Sequence, residues 1–253
     1  MKIILSPAKK MNIVTDILDY TTLPEHLSQT EEILQWLQSK SYTELKALWQ
    51  CNDKIAEQNF ERLKHMDLRK QLTPAILSYE GIAYQYMAPV VFEDKQFDYV
   101  QEHLRILSAF YGVLRPMDGV TPYRLEMQAK AFINGHRNLY DLWGDRIYES
   151  VRDEDGVIIN LASKEYSKCI EKYLTKQDTY ITVTFCEAFK GKLVTRPTYA
   201  KMARGEMVRY MAEMQVENLL EIKNFDRLGY VYRDELSTDL EYVFERIGPV
   251  CEL

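Results

Sequence analysis

Three cationic side chains on one predicted helix are the sequence's clearest candidates for chemistry. Helical spacing over residues 200–214 brings Lys201, Arg204 and Arg209 near one face. The other residues of that face are small or apolar: Gly205, Val208 and Ala212. The opposite face is an apolar stripe suited to a core: Ala203, Met207, Tyr210, Met211 and Met214. The pattern predicts a phosphate-contacting helix, and it equally fits a helix with a solvated basic side whose glycine packs on a neighbour.

Arg115, Arg124 and Lys164 form a second cationic set. The planar guanidinium of arginine can hold a phosphate through two parallel hydrogen bonds. Arg124 and Glu126 alternate with apolar residues, so both side chains can point the same way and pair with each other. Such a pair would only order a loop. Binding of a nucleic acid therefore requires at least one arginine that is free of carboxylate.

The residues that follow a predicted buried strand at 157–161 offer another phosphate site. Ser163 is the predicted N-cap of a helix that begins at Lys164, and the N–H groups at such a helix end favour an anion. A serine that merely caps its helix is the simpler interpretation. Lys9 follows the first predicted strand and would reach the same place if that strand is central in the sheet.

Apolar periodicity shows which elements must position these side chains. Helices are predicted within residues 28–66, with Ser41 or Thr43 and Asn52 as N-caps, and also after Pro74 and at 97–104. Strands are predicted at residues 2–6, 105–110, 157–161, 180–185, 192–195, 229–232 and 242–246. A turn at residues 190–191 makes the fourth and fifth of these an antiparallel hairpin. Helices before, between and after strands favour the α+β class, with a β-sheet core and surrounding helices.

Composition limits the function classes. The 253 residues contain no linker rich in Gly, Pro or Ser, so we expect a single domain over residues 1–253. A net charge of −6 and a pI of 5.4 argue against a surface coated in positive charge, so DNA binding would require a local basic cleft. No apolar run has membrane-helix length, and the start lacks the pattern of a signal peptide. We therefore expect a cytoplasmic protein without membrane contact.

The sequence contains no recognised catalytic motif. Its four cysteines and four histidines are dispersed, so neither a metal site nor a cofactor is expected. Whether the chain is an enzyme stays open. The alternative to a binding protein is a phosphate-binding enzyme that acts on nucleotides or damaged nucleic acid, with Glu126 or Glu165 as acid or base.

Eight short segments carry a resemblance to a known family. They include SPAK at 6–9, YEGIAY at 79–84 and LSAFYGVLRPMD at 107–118. The full set is residues 5–9, 79–84, 107–118, 122–127, 139–143, 160–166, 200–205 and 244–246. In this order and spacing they resemble the YaaA family of peroxide stress resistance proteins over nearly the whole chain. Ile82 and Lys10 depart from the residues usual at those positions.

The resemblance implies a protein of the hydrogen peroxide response that binds duplex or junction DNA through its phosphate backbone in a basic cleft. It also implies a limit on damage from intracellular iron, although no clustered ligands suggest that the chain binds iron itself. It further implies a helix-hairpin-helix element, which we assign to residues 76–87 with Tyr79, Gly81 and Ala83 at the hairpin. A plain corner between two helices fits the same residues. No obligate protein partner is evident.

Overall fold

The computed structural model describes residues 1–247. An eight-stranded mixed sheet lies at the centre of the fold, and helices pack around it. The strands are β1 (Lys2–Leu5), β2 (Lys10–Met11), β3 (Thr73–Pro74), β4 (Tyr79–Glu80), β5 (Leu104–Ser108), β6 (Gly112–Leu114), β7 (Gly119–Val120), β8 (Val157–Asn160), β9 (Thr179–Phe189), β10 (Lys192–Val194), β11 (Tyr230–Tyr232) and β12 (Glu241–Arg246). The helices are α1 (Leu27–Gln38), α2 (Tyr42–Trp49), α3 (Asp53–Lys64), α4 (Ala75–Ser78), α5 (Ile82–Met87), α6 (Asp94–His103), α7 (Leu139–Trp143), α8 (Arg146–Val151), α9 (Lys164–Glu171), α10 (Pro197–Met214) and α11 (Leu219–Ile222).

The large sheet has a parallel centre and antiparallel edges. Its strand order is β11-β12-β9-β8-β1-β5-β6, and β10 pairs with β9 beside this path. The five strands from β12 to β5 run parallel, whereas β6 and β11 pair antiparallel with their neighbours. Strands β2 and β4, and strands β3 and β7, form two small separate sheets. The α+β class is confirmed.

The strands predicted from periodicity are all present, with ends shifted by a few residues. The predicted hairpin is confirmed, since β9 and β10 pair antiparallel and the turn residues Lys190 and Gly191 have φ of 51° and 75°. Glycine is suited to that turn because it adopts positive φ without a steric penalty. Ser41 caps α2 through a capping box with Glu44, and Asn52 caps α3. Helix α6 begins at Asp94, three residues earlier than predicted.

The apolar sequence of β1 explains why this strand lies at the centre of the sheet. All four of its residues are buried, because β5 and β8 flank it on both sides and helices cover the sheet. Lys2 is the polar exception, and its ammonium group donates to the backbone carbonyl of Glu102 at 3.0 Å. Continuous apolar character of this kind is typical of a buried parallel strand.

Helix α10 differs from its predicted orientation. Gly205, Val208 and Ala212 are buried, whereas Met214 of the predicted apolar stripe is 61% exposed. The reason is that α5 packs across this side of the helix. A Cβ atom placed on Gly205 would lie 1.9 Å from the carbonyl oxygen of Ala83, so only glycine allows the two backbones to approach this closely. The interpretation of Gly205 as a packing residue is therefore confirmed.

Residues 1–247 contain neither a helix that could cross a membrane nor a cluster of side chains that could hold a metal ion. None of the helices there combines the length and the apolar character needed to cross a membrane. No group of three or more His, Cys, Asp or Glu side chains in the same residues is placed to hold a metal ion. Cys251 lies outside the described residues.

Candidate nucleic-acid interface

A cleft of about 400 Å³ opens at the carboxyl ends of β1 and β8. Residues 5–10, which end and follow β1, form one wall, and Leu161 and Ser163, which follow β8, form another. The chain runs from β1 to β5 on one side and later returns to β8 on the other side of β1. Such a reversal of strand order leaves a crevice at the carboxyl ends of parallel strands, which is where open sheets commonly bind ligands.

Two serines join these walls. The backbone N–H of Ser163 donates to Oγ of Ser6 at 2.8 Å, and the two hydroxyl groups lie 3.1 Å apart. Ser163 is the N-cap residue of α9 as predicted, but its side chain does not cap the helix, because it turns towards Ser6 instead. The first turn of α9 therefore faces the cleft without a capping side chain.

Glu126 holds two of the candidate cations at the cleft. Its carboxylate contacts the Lys9 ammonium group at 2.9 Å and the Arg124 guanidinium at 2.9 Å. The predicted pairing of Arg124 with Glu126 is thus present. Arg124 is also well buried, and its Nε atom has no hydrogen-bond partner among the described residues. One carboxylate consequently balances two positive side chains.

Arg204 supplies a guanidinium without a counter-ion. Within residues 1–247, no carboxylate lies within 4.0 Å of it, and its buried Nε atom has no hydrogen-bond partner. Burial lowers the pKa of Arg204 from its ordinary value, and no neighbouring charge offsets this effect. Lys201, one turn earlier on α10, is exposed and lines the same cleft. An unpaired, half-buried guanidinium is costly unless an anion completes its hydrogen bonds.

The cleft also contains three carboxylates, against five cationic side chains. Glu80 is occupied by the Lys10 ammonium group at 2.6 Å and by the amide of Asn12, which together hold the pKa of Glu80 below its ordinary value. Glu165 accepts a hydrogen bond from the backbone N–H of Gln128. Despite an acidic chain, the cleft keeps an excess of two positive charges.

Buried tyrosines form the floor of the cleft. Tyr84, Tyr123 and Tyr166 line it and are each at most 6% exposed. The Tyr123 hydroxyl lies 2.7 Å from Oγ of Ser108 and 3.0 Å from the Tyr79 hydroxyl. Burial raises the pKa of Tyr123 to about 12, although these two hydrogen bonds oppose the shift. Sequence reasoning missed this floor, although its three tyrosines lie in the segments 79–84, 122–127 and 160–166 that resemble the family.

The structure brings five of the eight predicted phosphate-binding residues into the cleft: Lys9, Arg124, Ser163, Lys201 and Arg204. The expectation that Lys164 joins them is wrong, because its ammonium group points along α9 to Glu171 at 2.5 Å. Arg209 is likewise elsewhere, since it pairs with Glu213 one turn further along α10.

Arg115 lines a separate cavity of about 190 Å³ at the opposite end of β5. The Asp118 carboxylate accepts hydrogen bonds there from the Arg115 backbone N–H at 2.8 Å and the Thr22 hydroxyl at 2.6 Å. Arg105 lies in the same cavity, is 8% exposed, and donates to the carbonyl oxygens of Gln101 and Leu104. We name this the β5–β6 cavity. Arg115 is excluded from the cleft because β5 and β6 separate the two.

The predicted helix-hairpin-helix is not confirmed. Tyr79 and Glu80 form strand β4, which pairs antiparallel with β2, so their backbone groups are used in a sheet. Gly81 has an extended backbone with φ of −170° and packs against Ala8, where an added Cβ would lie 2.8 Å from the Ala8 Cβ. Gly81 and Ala83 nevertheless line the cleft.

The fold and the site define a class of protein: an α+β chain with a cation-lined cleft at the carboxyl ends of its central parallel strands. Comparison with known sequences gives the family. The chain belongs to the family described as peroxide stress protein YaaA, which matches residues 1–236. This membership supports a role in peroxide stress.

Curated relatives cover almost the same length. The chain is 68% identical over 246 residues to a UPF0246 protein of Agathobacter rectalis, which covers 97% of this chain and 99% of that protein. It is 52% identical over 244 residues to UPF0246 proteins of Lachnoclostridium phytofermentans and Pediococcus pentosaceus. Each of these alignments covers 96% of this chain and at least 96% of the relative.

Proposed function

We propose that this protein binds DNA, duplex or junction, by holding backbone phosphates in the cleft that Lys9, Arg124, Lys201 and Arg204 line. In this role it limits oxidative, iron-dependent damage to DNA during peroxide stress, in the cytoplasm. The family's association with peroxide stress supports the physiological setting. The excess of positive charge in the cleft supports an anionic ligand.

The observation that carries the proposal is the unpaired guanidinium of Arg204. A charged group in this position loses hydration without gaining a protein partner, so folding alone gives no reason for arginine there. A phosphate oxygen is the partner that best matches the planar donors of arginine. Ser163 and the first turn of α9 offer further donors on the facing wall.

A salt titration with mixed-sequence duplex tests the proposal. Binding through phosphates releases counter-ions, so log K should fall linearly with log salt concentration. The double variant Lys201→Ala and Arg204→Ala should weaken binding by about tenfold or more and flatten the slope by roughly 2. The matched control, Lys164→Ala with Arg209→Ala, removes the same charge outside the cleft. Equal behaviour of the two double variants would contradict the proposal.

A second candidate function is a phosphate-binding enzyme that acts on nucleotides or damaged nucleic acid. It is favoured by the position of Glu126 and Glu165 in the same cleft as Arg204. A carboxylate beside a bound phosphate ester could move a proton during its cleavage. Incubation of labelled DNA with Mg²⁺ or Mn²⁺ tests this function, and turnover that Glu165→Gln abolishes would establish it. Absence of any product would leave binding as the activity.

A further inference from the structure

We propose that the cleft takes a single nucleotide drawn out of a duplex, with its base against the tyrosine floor and its phosphate at Arg204. This inference rests on the proposed DNA binding and adds what enters the cleft. It differs from simple backbone contact, because contact alone needs no enclosed space below the cations.

The size of the cleft favours one nucleotide. A volume of about 400 Å³ lies in the range of roughly 300–1,000 Å³ typical of small-ligand pockets. A cube of this volume is about 7 Å on a side, and a B-DNA duplex is wider than its own ≈ 12 Å major groove, so a duplex can only lie across the mouth. One unstacked nucleotide is the part of DNA that fits inside.

The lining changes character with depth. The buried residues at the bottom are apolar or aromatic, with Leu5 and Leu161 at most 1% exposed beside the tyrosines. The exposed residues at the mouth are cationic, namely Lys9, Lys10 and Lys201. A nucleotide has the same division, because its base is flat and largely apolar on its faces and its phosphate is charged.

Polar groups at half depth could recognise a base edge. Ser163 supplies a donor, whereas Glu165 supplies an acceptor, and both line the cleft. Glu165 makes no ion pair within the described residues. Proteins that act on an extruded base read it in this manner, by hydrogen bonds to its edge and by contact with aromatic side chains.

The first test compares matched and mispaired duplexes with the wild-type protein. Extrusion costs least where pairing is already lost, so a duplex with one central mismatch should bind about tenfold tighter than its matched counterpart. Equal, salt-dependent affinities for both would overturn extrusion and leave the proposed DNA binding intact. No binding to either duplex would overturn both proposals.

A cleft-filling variant supplies the second test. Ile82 lines the cleft from the start of α5 and is only half-buried, so Ile82→Trp narrows the space without entering the core. The ratio of mismatched to matched affinity should fall to about one, whereas Gln85→Trp, exposed on the same helix, should keep the wild-type ratio. An unchanged ratio in Ile82→Trp would overturn the inference.

A third arm uses free nucleoside monophosphates, which carry the same base and phosphate without a duplex. We expect them to bind more weakly than the mismatched duplex, because they lack the flanking phosphates that the mouth contacts. Tighter binding of a monophosphate than of any duplex would show a site for free nucleotides and overturn extrusion from DNA.

Discussion

The cleft and the β5–β6 cavity each contain at least one arginine from the eight segments that resemble the family. The two regions differ in how the charge of their arginines is balanced. In the cleft, Arg204 has no counter-ion within the described residues, and positive charge is in excess. In the β5–β6 cavity, Arg105 donates to two carbonyl oxygens, and two acids, Glu25 and Asp118, face two arginines. The first region is incomplete without an anion, whereas the second is balanced by the protein itself.

A cation in one of the eight segments that resemble the family therefore does not by itself mark a ligand site. Arg115 and Arg124 looked equivalent in sequence, and both could hold a phosphate. Arg115 and Arg124 differ in the side chains that distant parts of the sequence place around them. Thr22 and Asp118 fix the turn around Arg115, whereas Lys9 shares the single carboxylate that faces Arg124.

The largest expected effect is a loss of stability when the contact between α5 and α10, which forms one wall of the cleft, is disrupted. Gly205→Ala places a Cβ against the Ala83 carbonyl oxygen, forcing α5 and α10 apart, so the free energy of unfolding should fall by about 3 kcal/mol. Chemical denaturation measures the loss. Adding Ala83→Gly should not restore stability, because the clash is with backbone, and a rescue would contradict this account.

Paired methionine substitutions sharpen the contrast between the two regions. Arg105→Met removes two hydrogen bonds to carbonyl oxygens and should lower the free energy of unfolding by about 2 kcal/mol. Arg204→Met removes an unpartnered buried donor and should raise stability of the DNA-free protein by about 1 kcal/mol. Denaturation of both variants checks the signs. A similar loss in each would mean that Arg204 has a protein partner in solution.

Removal of one acid from each region should separate them in DNA binding. Glu126→Gln releases Lys9 and Arg124 from their shared carboxylate, so affinity should rise and the salt slope should steepen by about 1. Asp118→Asn makes the same charge change in the β5–β6 cavity and should leave both quantities unaltered. Salt titrations of the two variants with one duplex make the measurement, and equal responses would break the comparison.

The smallest effect is a pH dependence of stability from Asp118. Burial raises the pKa of this carboxyl above its ordinary value, although the Thr22 hydroxyl and the Arg115 N–H oppose the shift. The folded state therefore holds this proton more tightly than the unfolded chain does, and protonation favours folding. The stabilising contribution is fully present below the unfolded pKa of about 3.9 and is lost as pH rises through the folded value.

The free energy of unfolding of the wild type and of Asp118→Asn should be measured from below the unfolded pKa of Asp118 to above its folded pKa. The difference between the two proteins isolates this contribution. The wild-type free energy of unfolding, taken relative to the variant, should decrease as pH rises. An increase would show that hydrogen bonds to the ionised carboxylate outweigh burial at this site.

Sequence periodicity predicted seven of the eight strands of the large sheet, all except β6, and the helices with clear caps. It predicted that Lys9 would reach the Ser163 site only if the first strand is central in the sheet. The structure shows that β1 is central. Periodicity could not place Arg115 or Lys164, because a side chain's partner depends on packing between distant segments. The two-residue strands β2 and β4 were beyond reach for the same reason, since so short a stretch has no period.

The close contact between Gly205 and Ala83 also affects how the cleft can respond to a ligand. Helices α5 and α10 touch through their backbones, so neither can move inward. Residues 6–10 on the neighbouring wall are also held, by the Ser163 N–H bond to Ser6 and by the β2–β4 pairing, so any tightening around a ligand must come from side chains such as Lys9 and Lys10, whose ammonium groups are held by exchangeable ion pairs. The backbone around the cleft is thus rigid, and its lysine side chains are the part that can adjust to a ligand.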